Sequence, residues 1–402
     1  GKIRDNKQYT VHNNGEKIID APAEEVTKGF LYDRPYEDPN RQYAEPDPPK
    51  NVDYSHVLKK MLSHENIASR NAVYESYDKQ VQGRTITEAG NSDSGVMAPF
   101  NSDDYPKEIR KIGIALSTDH NPRYCTINPY WGGVNAVLEA MRNVAAVGAT
   151  PHAVSDCLCF GNPEKPNQMW EFVEAVRGIS DACNKVTLKE NQEHPTPIIA
   201  GNVSFYNESK SGSIPPSPIV SCLGRINDVE KTITMSFKSA ESIILMIGER
   251  KNELGGSLFY DIHNELGANV PTPNLDETKN QIYAITDCID QNLFYACHDI
   301  SDGGIAIALS EMTFENNIGL DAHIGGVISL EKILFSETGG FVVEVDNKNI
   351  QKVENILQSY KLKYSNIGKT TSTSEIKMNG VINILLDDAK ELWSNGLRNK
   401  LK

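Results

Sequence analysis

The stretch "WGGVNAVLEAMRNVAAVGATPHAVSDCLCF", residues 131–160, decides the fold. Within it Val134, Val137, Leu138, Met141, Val144 and Ala145 recur at steps of three and four, Gly148 suits a C-terminal cap, and Pro151 bars continuation. The spacing predicts a helix, and "HAVSDCLCF" (152–160) then reads as a short strand. The following "PNQMWEFVEAVRGISDACNKV" (166–186) puts Met169, Phe172, Val173, Val176, Ile179 and Cys183 on one helical face, and "PIIA" (197–200) reads as a second strand. Strand, helix, strand in that order implies a parallel pair with a right-handed crossover, in a sheet that places ligands beyond the carboxyl ends of its strands. Asp156 and the Gly201-Asn202 pair are therefore expected on one sheet edge.

Around this unit the 402 residues suit two cores, and 39% hydrophobic with 23% charged residues is a globular composition. The proline- and charge-rich "DRPYEDPNRQYAEPDPPKN" (33–51) reads as an extended linker or surface arm. Residues 1–52 are expected to be the tail of a preceding half plus this linker, 53–227 a first α/β domain and 228–402 a second. No window approaches a membrane span, and no leader marks the chain for export, so a cytoplasmic protein without a membrane partner is expected. A net charge of −14 argues against nonspecific nucleic-acid binding. It does not forbid phosphorylated ligands, which a local backbone nest or a metal ion can hold. Seven scattered cysteines form no disulfide framework and are expected to be reduced and structural. Cys157 and Cys159 are expected to alternate across their strand and not to face one metal.

"PIIAGNVSFYNES" (197–209) breaks at Gly201-Asn202, where the strand is expected to end. Glycine lets a backbone turn sharply or approach a ligand, asparagine offers a neutral oxygen, and Asp156 supplies an anionic one suited to Mg²⁺ or to a nucleotide's donors. Ser204 would share Asn202's side if the strand continued. On residue type alone, a plain Gly-Asn turn and an Asp156 cap account for the same residues.

Taken together, "HAVSDCLCFGNPEKP", "PIIAGNVSFYNE", "STDHNPRY", "NPYWGGVNAVLEAMRNVAAVGATP", "SHENIASRNAVYESYDKQVQG", "ELGGSLFY" and "HDISDGGIAIALSEM" resemble the second half of the synthetase subunit of phosphoribosylformylglycinamidine synthase. That family belongs to the aminoimidazole ribonucleotide synthetase superfamily. The resemblance implies a two-domain α/β (α+β) half: an N-terminal domain whose strands build half of a shared barrel, and a C-terminal α/β domain. It implies a ligase that converts formylglycinamide ribonucleotide, ATP and glutamine-derived ammonia to formylglycinamidine ribonucleotide, with Mg²⁺, in de novo purine biosynthesis. Implied partners are the first half of the same enzyme, a glutaminase subunit and a small bridging subunit.

Carried over by position, Asp156 and Gly201 are implied nucleotide contacts, Asn202 a magnesium ligand and Ser204 a contact to the ribonucleotide. No catalytic residue is assigned to this chain, which is expected to be inactive alone and to self-associate. The chain departs from the family's Asp-Asn-Leu-Asn-Phe-Gly at Cys157 and Cys159, and has Asn128 where an aspartate is common. "VTLKENQEHPTP" (186–197) is expected to be a lengthened surface loop. His120 reads as a satisfied histidine or a phosphate-site residue, Asp302 as a helix N-cap, and "FSETGGFVVEV" (335–345) as a structural turn. Two rival readings stand beside the composite ligase: a noncatalytic module that holds nucleotide for stability, and a self-sufficient homodimeric synthetase.

Overall fold

The protein was analysed as a computed structural model that describes residues 1–29, 31–47 and 50–402; the parts of the expected tail and linker at Phe30, Pro48 and Pro49 lie outside the described residues. The first sheet contains β1 (Thr85–Thr87), β2 (Gly95–Met97), β3 (Gly113–Asp119), β4 (Thr150–Cys159), β5 (Ile198–Ser204) and β6 (Ser217–Ile226) in the spatial order β1-β2-β3-β6-β4-β5. β4 and β5 are the parallel pair that the sequence pattern implied, joined through the helix Pro166–Lys185; the other neighbours in the sheet run antiparallel. The sheet is open, ending on β5, a strand exposed along nearly its whole length.

Helices cover one face of this sheet. Helix α1 (Pro129–Ala146) and helix α2 (Pro166–Lys185) pack on Ala115, Val154, Leu158, Val220, Cys222 and Ile226. Alternation along β6, with every second residue buried, follows from that one-sided cover. Among the described residues no helix covers the other face, which carries Met97 and Leu116 among its exposed apolar side chains. α1 itself is buried nearly all round, because its far side packs against α3 (Leu275–Asp290) and the second sheet. That sheet has the spatial order 294–300, 340–345, 243–247, 364–371, 319–322, 375–378, 382–385. One apolar cluster therefore runs from the first sheet through α1 to the second, and a separate cluster fills the second sheet's other side under Tyr54–Leu62, Gly304–Glu311 and Leu386–Lys400.

Two expectations change. The segment 186–197 is not a plain loop: Thr187–Leu188 and Asn191–Pro195 form a short hairpin. Residues 33–47 run without helix or strand, and they are fastened to both halves of the body. Arg41 pairs with Glu171 on α2 at 2.6 Å, and Glu45 accepts from Tyr260 Oη at 2.7 Å and from the Ala268 and Asn269 backbone N–H groups at 2.9 and 3.1 Å. Ahead of this strap, the hairpin Gln8–Asn13/Glu16–Pro22 and the helix Ala23–Lys28 bury little, as a segment with so few apolar residues must.

α1 and α2 approach closely where glycines meet. A Cβ on Gly178 would lie 2.1 Å from the Tyr130 carbonyl oxygen, and one on Gly133 2.4 Å from that of Ala175. Gly178→Ala is expected to destabilise the chain by roughly 1–3 kcal/mol, the usual scale of overpacking, although alanine is the better helix former. Urea denaturation measures this; an unchanged or raised midpoint would show that the helices part without cost.

Candidate functional site

The register between β4 and β5 fixes where the four residues expected at a site stand. Asp156 stands opposite Gly201, Cys157 opposite Asn202 and Cys159 opposite Ser204. The strand does not end at Gly201-Asn202, as the sequence pattern suggested; β5 continues to Ser204, and the break comes at Tyr206, with φ of 61°. Paired residues share a face, so Asn202 and Ser204 lie on the helix-free face, while Asp156 and Gly201 lie on the face that α1 and α2 cover. Asp156 and Asn202 are thus close in register but divided by the sheet, whereas Gly201 shares Asp156's face. Gly201 has a local reason as well: a Cβ there would sit 2.6 Å from Asp156 Oδ1. Partial burial raises the Asp156 carboxyl above its ordinary range. Ser204 Oγ contacts the Asn207 amide, whose Nδ2 donates to the Phe160 and Ser204 carbonyls, each at 2.9 Å, closing the turn after β5.

The same-face rule also corrects the reading of the cysteines. Residues two apart on a strand point the same way, and Cys157 and Cys159 Sγ atoms lie 3.8 Å apart on the helix-free face. All seven cysteines are free.

A second concentration of chemistry lies in a cleft of about 450 Å³ between the two sheets. Asp119 ends β3, Glu139 and Asn143 project from α1, Asp299 lies near the end of the strand Phe294–Ile300 with Ser301 and Asp302 just after it, and Asp93 precedes β2. His298 is held between Asp93 (Nδ1 to Oδ1, 2.6 Å) and Glu311 (Nε2 to Oε2, 3.1 Å). Burial alone would lower its pKa, but these two carboxylates outweigh it and raise it well above the usual imidazole value. Arg142 reaches Asp299 at 3.4 Å, and Asn143 donates to Asp119 at 2.8 Å. Burial pushes the Asp119 and Asp299 carboxyls up to about 7, and that of Glu139 well above its ordinary value; neighbouring acids push the same way. Asp93 Oδ2, His120 Nδ1 and Arg142 Nε are buried without partners. Burial keeps His120 neutral, with its pKa lowered to about 4.

This donor set fits a hard divalent cation, which takes carboxylate oxygens and would relieve the crowding of like charges. Asp93, His298 and Asp299 offer ligand atoms within 4.8 Å of one another, although both His298 nitrogens are already engaged. Asn202 alone does not make such a site: the residues of β4 and β5 on its face supply no carboxylate.

Other expectations resolve at the cleft rim. Asn128 caps α1, accepting from Trp131 N at 3.1 Å. Asp302 is not the helix cap; Gly303 occupies that position with φ of 80°, and Asp302 accepts from Asn121 Nδ2 at 3.3 Å. Glu337, in "FSETGGF", accepts from Gly303 N at 2.7 Å, from Leu258 N at 2.8 Å and from the Tyr124 hydroxyl. The Gly303 N–H is therefore occupied and not free for an anion. The cleft residues of α1 were missed in the sequence, and one signal pointed to them: Glu139, Arg142 and Asn143 fall within a five-residue stretch of a largely apolar, buried helix, where polar side chains are abnormal unless they are used.

Comparison with known proteins places this geometry. The family "AIR synthase related protein, N-terminal domain" matches residues 93–226, and the corresponding C-terminal domain family matches 239–380. The chain belongs to the AIR synthase related proteins. Within them it is 42% identical over its full length to the phosphoribosylformylglycinamidine synthase subunit PurL of Methanothrix thermoacetophila, covering 52% of that protein. It is 35% identical to PurL of Methanocaldococcus jannaschii over 98% of this chain and 53% of that one. The chain thus spans about half the length of the curated relatives it matches. Among solved structures, T. maritima PurL complexed with FGAR aligns with a TM-score of 0.64 at 17% identity, over 83% of this chain and 53% of that one, a likeness of fold.

Titration of the cleft has a definite sign. Asp119 and Asp299 hold their protons to about pH 7 when folded, against about 3.9 for an unfolded aspartate. Between those values the folded chain binds more protons, so their contribution to stability falls as pH rises. In the absence of divalent cations, Asp119→Asn is expected to stabilise the chain more at pH 8 than at pH 5. Chemical denaturation in chelator checks this, and an equal shift at both pH values would count against a buried charge at Asp119.

Proposed function

We propose that this chain is one half of a composite ATP-dependent ligase that makes formylglycinamidine ribonucleotide from formylglycinamide ribonucleotide and glutamine-derived ammonia, in de novo purine biosynthesis in the cytoplasm. The observation that carries this reading is the 42% identity to a PurL subunit along the whole chain, joined to the placing of Asp156, Gly201, Asn202 and Ser204 on two adjoining strands. A solved T. maritima complex described as PurLQS gives the precedent for a multi-subunit assembly, consistent with a glutaminase subunit and a small bridging subunit as partners. T. maritima PurL has also been solved with ATP, at a TM-score of 0.55.

In this reading Asn202 and Ser204, on the open face, meet metal and ribonucleotide, and the first half of the enzyme supplies the missing carboxylates across that face. Gly201, on the exposed edge strand β5, and Asp156 beside it on β4 contact nucleotide there, and among the described residues no further strand covers β5. Mg²⁺, when bound, offsets charge on the transferring phosphoryl group. The residues of this chain bind and orient; general acid-base chemistry comes from the other half.

The reading is tested by turnover. Given formylglycinamide ribonucleotide, ATP, Mg²⁺ and ammonia, the chain alone is expected to give no more than trace product, since binding without positioned proton transfer forfeits orders of magnitude in rate. Added first half restores activity; full turnover by these 402 residues would establish a self-sufficient synthetase instead. In the complete enzyme, Asn202→Ala is expected to weaken Mg-nucleotide binding by on the order of 1–3 kcal/mol with folding intact. Unchanged magnesium dependence removes Asn202 from the site. The uncovered sheet face and exposed β5 edge are further expected to make the isolated chain self-associate; sedimentation as a monomer at high concentration would contradict that.

A second reading rests on the acidic cleft. Its buried carboxyls and the unpartnered Asp93 Oδ2 support a Mg-nucleotide held for stability rather than turnover. Nucleotide that copurifies and exchanges slowly, and is lost in Asp299→Ala while activity of the reconstituted enzyme persists, would separate this role from catalysis.

A further inference from the structure

We infer that Cys157 and Cys159 form a two-thiolate chelating site for a soft divalent cation of the Zn²⁺ or Cd²⁺ type, on the helix-free face of the first sheet. The inference goes beyond the proposed ligase and does not depend on it. Both thiols project from β4 to one side, are part-exposed, and lie 3.8 Å apart. Two ligands at the Zn–S distance of about 2.3 Å, separated by a tetrahedral angle, stand about 3.8 Å from each other. The thiols are therefore already spaced as one edge of a zinc tetrahedron.

A disulfide fits less well. It requires the sulfurs to close to about 2.05 Å, and residues two apart on an extended strand have Cα atoms roughly 6.6–6.8 Å apart, the far end of the range disulfides accept. β4 is held on both sides by β6 and β5 through these very positions, with Cys157 paired to Ile219 and Asn202, and Cys159 to Ser217 and Ser204. Bending the strand to close the bond would break that ladder, whereas chelation leaves the backbone where it is.

The neighbours define what kind of site this is. Asn202, Ser204, Ser217 and Ile219 surround the pair, with no third cysteine, histidine or carboxylate among them. On binding, each thiol releases its proton to solvent and each sulfur donates a lone pair to the cation. The remaining coordination positions are left to water, which makes an exchangeable site and not a structural one. Chemical competition within the chain is small, because Cys125, Cys183, Cys222, Cys288 and Cys297 are all buried. An ion on the pair would stand beside Asn202 and Ser204 and cover the open face there.

The test is titration of the reduced full chain with Cd²⁺, following the ultraviolet cadmium–thiolate charge-transfer absorption, with Zn²⁺ as competitor. One equivalent per chain is expected, displaced by Zn²⁺, with the absorption about halved in Cys157→Ser and in Cys159→Ser and absent in the double variant. Each single variant should bind on the order of tenfold more weakly or worse, since losing even an outer partner of a metal ligand costs that much. Circular dichroism confirms folding of the variants, and Cys157→Ala with Cys159→Ala repeats the test should serine perturb the strand. Thiolate absorption that survives in the folded double variant, or no absorption in the parent, overturns the proposal. So does ready closure of the pair to an intramolecular disulfide by oxidised glutathione at a rate Zn²⁺ does not slow.

Discussion

The Glu337 side chain holds the molecule's two halves in register. Its carboxylate accepts from the backbone N–H of Leu258, from that of Gly303, and from the Tyr124 hydroxyl. These donors lie at the start of the short helix Leu258–Asp261, on the turn after a second-sheet strand, and on the helix Pro122–Ile127 that follows β3. A carboxylate with three donors satisfies groups that burial would otherwise leave unpaired at a cost of about 1–3 kcal/mol each. Burial pushes its pKa up to about 8. The cleft that carries Asp119, Asp299 and Asp302 opens beside this junction, Asp302 being the neighbour of Gly303.

α1 explains how a strongly acidic pocket persists next to an apolar core. A helix pressed between two sheets must be apolar almost all round, and here it is, with Val134, Val137, Leu138, Met141 and Val144 fully buried. Among its polar exceptions, Asn143 meets Asp119 and Arg142 meets Asp299 across the cleft. Like charges assembled in low dielectric raise one another's pKa. A site of this kind is poised to exchange protons for a cation, and its stability is linked to whatever occupies it.

Much of the architecture could be read from the sequence because hydrophobic period is a local property. The three- and four-residue spacing in 131–147 and 166–186, and the β-rich runs at 152–160 and 197–200, each report a single element, and their order dictates the parallel crossover that β4 and β5 make. What was not legible depends on facing. Gly201-Asn202 looks like a terminus, because nothing in a one-dimensional pattern says whether a neighbouring strand continues the ladder. That Asp156 and Asn202 point to opposite sides follows only from their pairing in register. Asp302 resembles a cap until the left-handed Gly303 moves the helix start one residue on. Glu139 lies far in sequence from Asp299, and only the docking of α1 on the second sheet brings them together.

The strap at residues 33–47 sets an order of events in synthesis. Arg41 must wait for Glu171, and Glu45 for Ala268, 223 residues later. At 5–20 residues per second this second wait is about 10–45 s. Local helices form in microseconds, so the helices of the first unit can form well before the strap can fasten to Ala268. The strap therefore acts as a late latch: it finds its second anchor only after the segment around Tyr260 has emerged, when the first sheet and its helices have already been made.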